Sequence, residues 1–206
     1  MELIVITPEA NVPDETTTVN KLFAAGLAKL HLRKPGFTTE EYRNYIGAID
    51  ERYHKRIVLC GGFEMWNEFK LGGVHLSSSM RNDENTWDKI EDVPMSVLST
   101  SFHSWDEVKE NSFPYRYVFV GPVFDSVSKE GHKGIVDVSG AKETKAQLAE
   151  EGKRCPALIA LSGVAVTDMR YLQRNGFDGA AMLGTIWQSP NPVITLNAAL
   201  SATVGL

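Results

Sequence analysis

The chain has little cysteine, two residues in 206, and neither the number nor the spacing of Cys60 and Cys155 suits a zinc site or a disulfide-stapled fold. Free thiols are expected at two strand edges. No dense run of lysine or arginine occurs and the formal net charge is -5. Nucleic acid would want a basic stripe, so that class of partner is set aside. No basic segment with a cleavage signature opens the chain. Glu2-Leu3-Ile4-Val5-Ile6 begins a strand almost at once, so no secretory signal and a cytoplasmic location are expected. Residues 179–206 carry no charge, but Gln188-Ser189-Pro190-Asn191-Pro192 interrupts them, and no continuous membrane-spanning run survives. The turn Ile6-Thr7-Pro8-Glu9 has no glycine, so the fingerprint of an open dinucleotide-binding sheet is missing.

What is present is an apolar fraction of 43% in a chain long enough to bury one good core, so residues 1–206 are expected to form a single domain. Eight short runs read as strands: 3–6, 29–32, 56–59, 73–76, 95–99, 117–120, 157–160 and 179–183. Most are apolar with little alternation, as in strands buried on both faces. Helical segments lie between them. Asp14 is placed to cap a helix running to Gly26. Thr38-Thr39-Glu40-Glu41 is a capping box before a stripe of Tyr42, Ile46 and Ile49. Further helices are expected over 63–71, 83–90, 104–111 with Ser104 as cap, 138–152, 168–175 with Thr167 as cap, and 193–203. The 138–152 segment offers Ala141, Ala146, Leu148 and Ala149 as its apolar side. Strands alternating with helices eight times predict a parallel sheet closed into a (β/α)₈ TIM barrel, an α/β fold.

Such a barrel places its site at the carboxyl ends of its strands. The second strand ends His31-Leu32-Arg33-Lys34, where His31 and Arg33 share the inner face. A charge inside the mouth needs a partner. No acid lies within that segment, so an anionic ligand is expected on Arg33, with Lys34 a solvated rim charge. The third strand ends Cys60-Gly61-Gly62, read as a tight turn. The fourth ends His75-Leu76-Ser77-Ser78-Ser79, with His75 read as a hydrogen-bonded core residue and the serines as a phosphate or capping loop. Ser101 and His103 follow the fifth strand. Gly121-Pro122 and a loop holding Asp125, Ser126, Ser128, Lys129, His132 and Lys133 follow the sixth. Ser162-Gly163 and Leu183-Gly184 follow the last two, a phosphate-gripping pattern.

HLRK at 31–34, GGVHL at 72–76, TSFHSWDEV at 100–108, YVFVGPVFDSVSK at 117–129, LSGV at 161–164 and NGFDGAAMLGTIW at 175–187 resemble the thiamin phosphate synthase/thiazole tautomerase (TenI-like) family. The resemblance implies a (β/α)₈ barrel and small phosphorylated thiazole and pyrimidine ligands. It leaves a homo-oligomer open. In the synthases a magnesium-bound pyrimidine pyrophosphate loses pyrophosphate and a thiazole phosphate nitrogen captures the pyrimidine cation. Carried over, Arg33, Ser101 and Lys129 would contact pyrophosphate, with Lys34 a shifted candidate. Ser126 and Ser128 would meet thiazole phosphate, and Ser162, Gly163, Leu183 and Gly184 would grip it.

The departures concern the chemistry. The family's strand-two glutamine is His31 here, and its following lysine falls on Pro35. The acids that hold Mg2+ after strands three and four are replaced by Cys60-Gly61-Gly62 and Ser77-Ser78-Ser79-Met80, leaving Asp83 or Glu64 to reach in. The tautomerase branch has a histidine where this chain has Pro122. Asp125 stands where that branch often has an acid, and His31 or His103 would serve as base. The readings are therefore a transferase of the synthase kind, a metal-free thiazole phosphate isomerase, a non-catalytic binder of thiamin phosphate or its precursors, and an unrelated phosphate-binding isomerase.

Overall fold

The computed structural model of the chain describes residues 1–125 and 134–203. Its strands are β1 (Glu2–Ile6), β2 (Lys29–Leu32), β3 (Ile57–Leu59), β4 (Gly73–Leu76), β5 (Leu98–Phe102), β6 (Tyr117–Val120), β7 (Ala157–Leu161) and β8 (Gly179–Met182). All neighbours are parallel, and they close in chain order into one barrel sealed by β1 on β8. Helices follow the strands, so the fold is the expected (β/α)₈ barrel.

Alternation along each strand divides the core in two. One face of the strands sends Leu3, Val5, Leu30, Leu32, Ile57, Leu59, Val118 and Val120 outward against the helices. Burial of each such side chain stabilises by about 1.5–3 kcal/mol. The other face fills the barrel with Ile4, Ile6, Tyr117, Phe119, Ile159 and Ala181. Gly179 is part of that filling, because a Cβ there would meet Ile159 Cδ1 at 2.5 Å. The inner face is not wholly apolar. His31, His75 and Ser99 are buried there too, and the Lys29–Glu2 ion pair joins β2 to β1 near their amino ends.

Several boundaries differ from the sequence pattern. The fifth strand starts three residues later than expected, at Leu98, because Pro94 leads into a 3-10 turn over Met95–Val97. The strand is expected to end at Ser99, yet it runs on to Phe102: Ser99 and Ser101 bond His75, and the Thr100 hydroxyl donates to Leu76 O at 2.7 Å. Asp14 does not cap its helix through its side chain; it sits at φ 55. The Thr38 capping box is present, with the Glu41 carboxylate accepting from Thr38 N. Helix Gly140–Glu150 buries Gly140, Ala141, Thr144 and Leu148, whereas Ala146 and Ala149 are exposed, since spacing and not side-chain type sets the face. Thr167 lies inside the 3-10 turn Val166–Asp168, and Asp168 supplies the carboxylate that accepts from Ala165 N.

Candidate functional site

The carboxyl ends of the strands open on a cavity of about 610 Å³. Eight of the sequence candidates line it: His31, Arg33, Lys34, Ser101, Ser162, Gly163, Leu183 and Gly184. His103 and Asp125 are not among its walls. His103 is exposed with Nδ1 3.0 Å from Gly121 O, and Asp125 accepts from Gly134 N at 2.8 Å. Ser126, Ser128, Lys129, His132 and Lys133 lie outside the described residues.

The mouth is built by stitches between neighbouring turns. Thr7 is fully buried after β1; its hydroxyl donates to Arg33 O and accepts from Arg33 N at 2.8 Å. This fixes the backbone that carries Arg33. The Trp187 indole donates to Ile6 O at 2.8 Å, tying the turn after β8 to β1. The Thr185 hydroxyl donates to Val164 O at 2.6 Å, which holds the Gly184 turn beside the Gly163 turn. Ser162 and Gly163 both have positive φ, 78 and 66. For serine that conformation costs on the order of 1–3 kcal/mol, the kind of strain concentrated at ligand clamps. The Ser162 hydroxyl donates to Phe124 O at 3.4 Å.

The cations differ from the sequence expectation. Arg33 pairs with Glu9, which comes from the turn after β1, so an acid partner exists outside the segment that carries the arginine. Lys34 is not a rim charge. Its ammonium lies 2.7 Å from Glu15, with side-chain exposures of 0% and 5%, and donates to Ala10 O. That carboxylate also accepts from the Tyr45 hydroxyl at 2.7 Å.

The floor is made by His31, His75, Cys60 and Phe119. His31 Nε2 lies 2.6 Å from the Tyr117 hydroxyl and its Nδ1 3.6 Å from Cys60 Sγ. His75 Nδ1 and Nε2 bond Ser99 and Ser101. Burial pushes the His75 pKa down to about 3, helped by the Arg81 charge. Burial, together with His75 and Lys29, also holds His31 well below the usual histidine range. Burial raises the Cys60 thiol to about 12, so it is protonated at neutral pH. Both imidazoles are neutral in the fold, whereas in the unfolded chain they take protons from about pH 6.5 downward. The unfolded state then binds more protons, and stability present above pH 6.5 is lost as pH falls toward 3. Each histidine should contribute a slope of up to about 1.4 kcal/mol per pH unit. Urea titrations at pH 7 and pH 5 check this, and His75→Gln should flatten the difference.

The donors at the ends of β3 and β4 do not fit a carboxylate-held magnesium ion. Cys60 offers a neutral, soft thiol. The Ser77 hydroxyl caps Met80 N and bonds Ser79. Glu64 accepts from Thr39, and Asp83 caps the helix Glu84–Lys89 through Asn85 and Thr86; neither lines the cavity. Glu9 is the one carboxylate among the described lining residues, and Arg33 holds it. Among the described residues no cluster of three metal-binding side chains occurs.

Thr7, Glu9 and Tyr42 belong to the site without having been sequence candidates. Glu9 stands three residues beyond β1, where a barrel's mouth begins, and that position is a usable signal. The others show none, because their roles depend on neighbours distant in the chain.

Comparisons with known proteins agree with the barrel fold. A sequence profile described as TMP-TENI, thiamine monophosphate synthase, matches residues 3–186. A thiamine-phosphate synthase of Bacteroides fragilis is 22% identical over 148 residues, 66% of each chain. Thiamine-phosphate synthase 1 of Streptococcus pneumoniae is 21% identical over 183 residues, 85% of this chain and 83% of that one. The crystal structure of a thiamine phosphate pyrophosphorylase from Bacteroides thetaiotaomicron superposes with a TM-score of 0.75 at 28% identity, covering 98% of this chain and 97% of that one. A Pyrococcus furiosus thiamine phosphate pyrophosphorylase, at TM-score 0.78 and 15% identity over 99% and 97% of the chains, shares the fold. No helix among the described residues is long and apolar enough to cross a membrane.

Proposed function

The chain belongs to the thiamine monophosphate synthase (TMP-TENI) family, and on that premise we propose that it joins a pyrimidine pyrophosphate to a thiazole phosphate. The bond between the pyrimidine methylene carbon and the pyrophosphate oxygen breaks. A bond forms from that carbon to the thiazole nitrogen, and pyrophosphate leaves with the electron pair. The observation that carries the reading is the convergence of Arg33, Gly163 and Gly184 on one cavity at the strand ends.

Arg33 is the described cation suited to the leaving group. Its pair with Glu9 is exposed, 42% and 46% by side chain, so the pair is worth about 0–1 kcal/mol. Charge-assisted bonds to a phosphate are worth about 1.5–3 kcal/mol. Exchange of Glu9 for a phosphate group is therefore favourable. Developing charge on pyrophosphate would strengthen the contact, which is where such a contact accelerates reaction. Lys34, held by Glu15, is not free to do the same. Gly163 and Gly184 bring main chain, without side-chain bulk, to the wall where the thiazole phosphate would sit. Any magnesium enters as counter-ion of the pyrophosphate, and no step is assigned to a metal held by protein carboxylates.

The isomerase reading has less support. It needs a base touching the ligand, and His31 and His75 are bonded at both ring nitrogens and made weak bases by burial, which lowers their pKa values. His103 and Asp125 lie away from the described cavity walls.

The purified protein, given both precursors and magnesium, should yield thiamin phosphate, read as thiochrome fluorescence after oxidation. Arg33→Gln should lower kcat/KM by about 10–100-fold, the equivalent of one lost charge-assisted contact. Absence of product with and without magnesium, alongside calorimetric binding of the thiazole phosphate, would replace the transferase with a binder.

A further inference from the structure

We infer that Glu9 is a specificity-determining residue: a negative charge fastened beside Arg33, it shifts the preference of the mouth from bare pyrophosphate toward the magnesium complex of pyrophosphate. The inference deepens the transferase reading and rests on it for the ligand.

Glu9 lies in the loop between β1 and the first helix, and its carboxylate pairs with Arg33 in the cavity mouth. A phosphate that takes the guanidinium displaces the carboxylate from that bond. It does not carry the charge away, because the main chain on both sides of Glu9 is fastened to the end of β2. Ahead of it, Thr7 N donates to His31 O at 3.0 Å, and the Thr7 hydroxyl bonds both the amide and the carbonyl of Arg33. Behind it, Ala10 O accepts from the Lys34 ammonium at 3.1 Å. Val12 N donates to Glu15, the acid that holds Lys34. Lys34 is 1% exposed, so water does not compete for this second fastening. The backbone of Glu9 is thus tied to the segment that carries the arginine. Only its side chain is left to turn, and turning keeps the carboxylate close to whatever Arg33 holds.

Charge then sets the preference. Arg33 alone attracts bare pyrophosphate more strongly than the magnesium complex, since the bare ion carries more negative charge. A carboxylate has the opposite preference, for the same reason. With both present the two effects offset. The Arg33 and Glu9 side chains are 42% and 46% exposed, so water and salt weaken each effect without changing its sign. Glu9 is the one carboxylate among the described lining residues, so selection of the complex falls to it and not to a cage of metal ligands. Magnesium enters this argument as part of the substrate.

Calorimetry of the full-length protein with inorganic pyrophosphate tests this, once with excess magnesium and once with a chelator. Glu9→Gln should tighten bare pyrophosphate about three- to tenfold relative to the magnesium complex. Glu9→Asp keeps the charge, and its ratio of the two affinities should stay within about twofold of wild type. A ratio unchanged by Glu9→Gln would overturn the proposal. Equal tightening of both forms would make Glu9 only an internal competitor for Arg33, and equal weakening only a support for it. If neither form binds the wild type or Glu9→Gln, pyrophosphate is not the ligand, and the transferase reading falls together with this inference. Binding of both forms at an unchanged ratio removes the role of Glu9 alone.

Discussion

Replacing Glu15 by alanine should lower the unfolding free energy by about 3–5 kcal/mol, because it strands a buried ammonium. Lys34 and Glu15 are 0% and 5% exposed by side chain and 2.7 Å apart. Water cannot reach Lys34 to replace the lost carboxylate. The variant also removes the acceptor of the Tyr45 hydroxyl and of Val12 N. Ala10 O would remain as an acceptor for Lys34, which satisfies a hydrogen bond but not a charge. Equilibrium urea unfolding reads the loss directly. The double variant Glu15→Leu with Lys34→Met should recover most of it, since apolar side chains of similar volume often match a buried ion pair. A cost below about 1 kcal/mol for Glu15→Ala would mean the pair is solvated. A folded Lys34→Met protein with unchanged pyrophosphate affinity would separate Lys34 from the anion ligands, as its burial implies.

Gly163→Ala should cost about 2–6 kcal/mol in stability and abolish tight binding of the thiazole phosphate. A residue with a Cβ held at φ +66 costs about 1–3 kcal/mol. The added Cβ would also meet Asp125 O at 2.3 Å and Phe124 Cβ at 2.7 Å. Overpacking of that kind costs about 1–3 kcal/mol more. The first of these contacts is backbone and cannot rotate away, so the turn after β7 must shift away from the segment after β6 and move the Gly163 amide from its place in the cavity wall. Unfolding titrations and calorimetry with the thiazole phosphate measure the two effects. Wild-type affinity in a folded Gly163→Ala protein would remove this turn from the phosphate site.

How much of this was legible in the sequence depended on the distance over which each feature is determined. The barrel followed from repeated apolar runs and their punctuation, and the strand bounds shifted most at β5. There Ser99-Thr100-Ser101 looks polar, and only the presence of His75 and Leu76 O on the neighbouring strand makes it a buried strand. Arg33 was legible as a mouth residue because alternation puts it on the inner face with His31. Its pairing with Glu9 was not, since the acid lies 24 residues earlier and meets Arg33 only once β1 and β2 are neighbours. The reading of His75 as a hydrogen-bonded core residue agrees with its bonds to Ser99 and Ser101.

The succession of strands and helices, and the end of the barrel where a ligand would enter, were written in local pattern: period, caps and glycine turns act over a few residues. Tertiary structure alone decided which charges face that ligand. Two adjacent cations, Arg33 and Lys34, end in opposite circumstances, one exposed in the mouth and one sealed beneath it. The backbone alternation turns them apart, and their acids arrive from different places, Glu9 in the loop and Glu15 in the first helix. Coulomb energy depends on distance in space and on access of water, and neither quantity exists until the chain has closed.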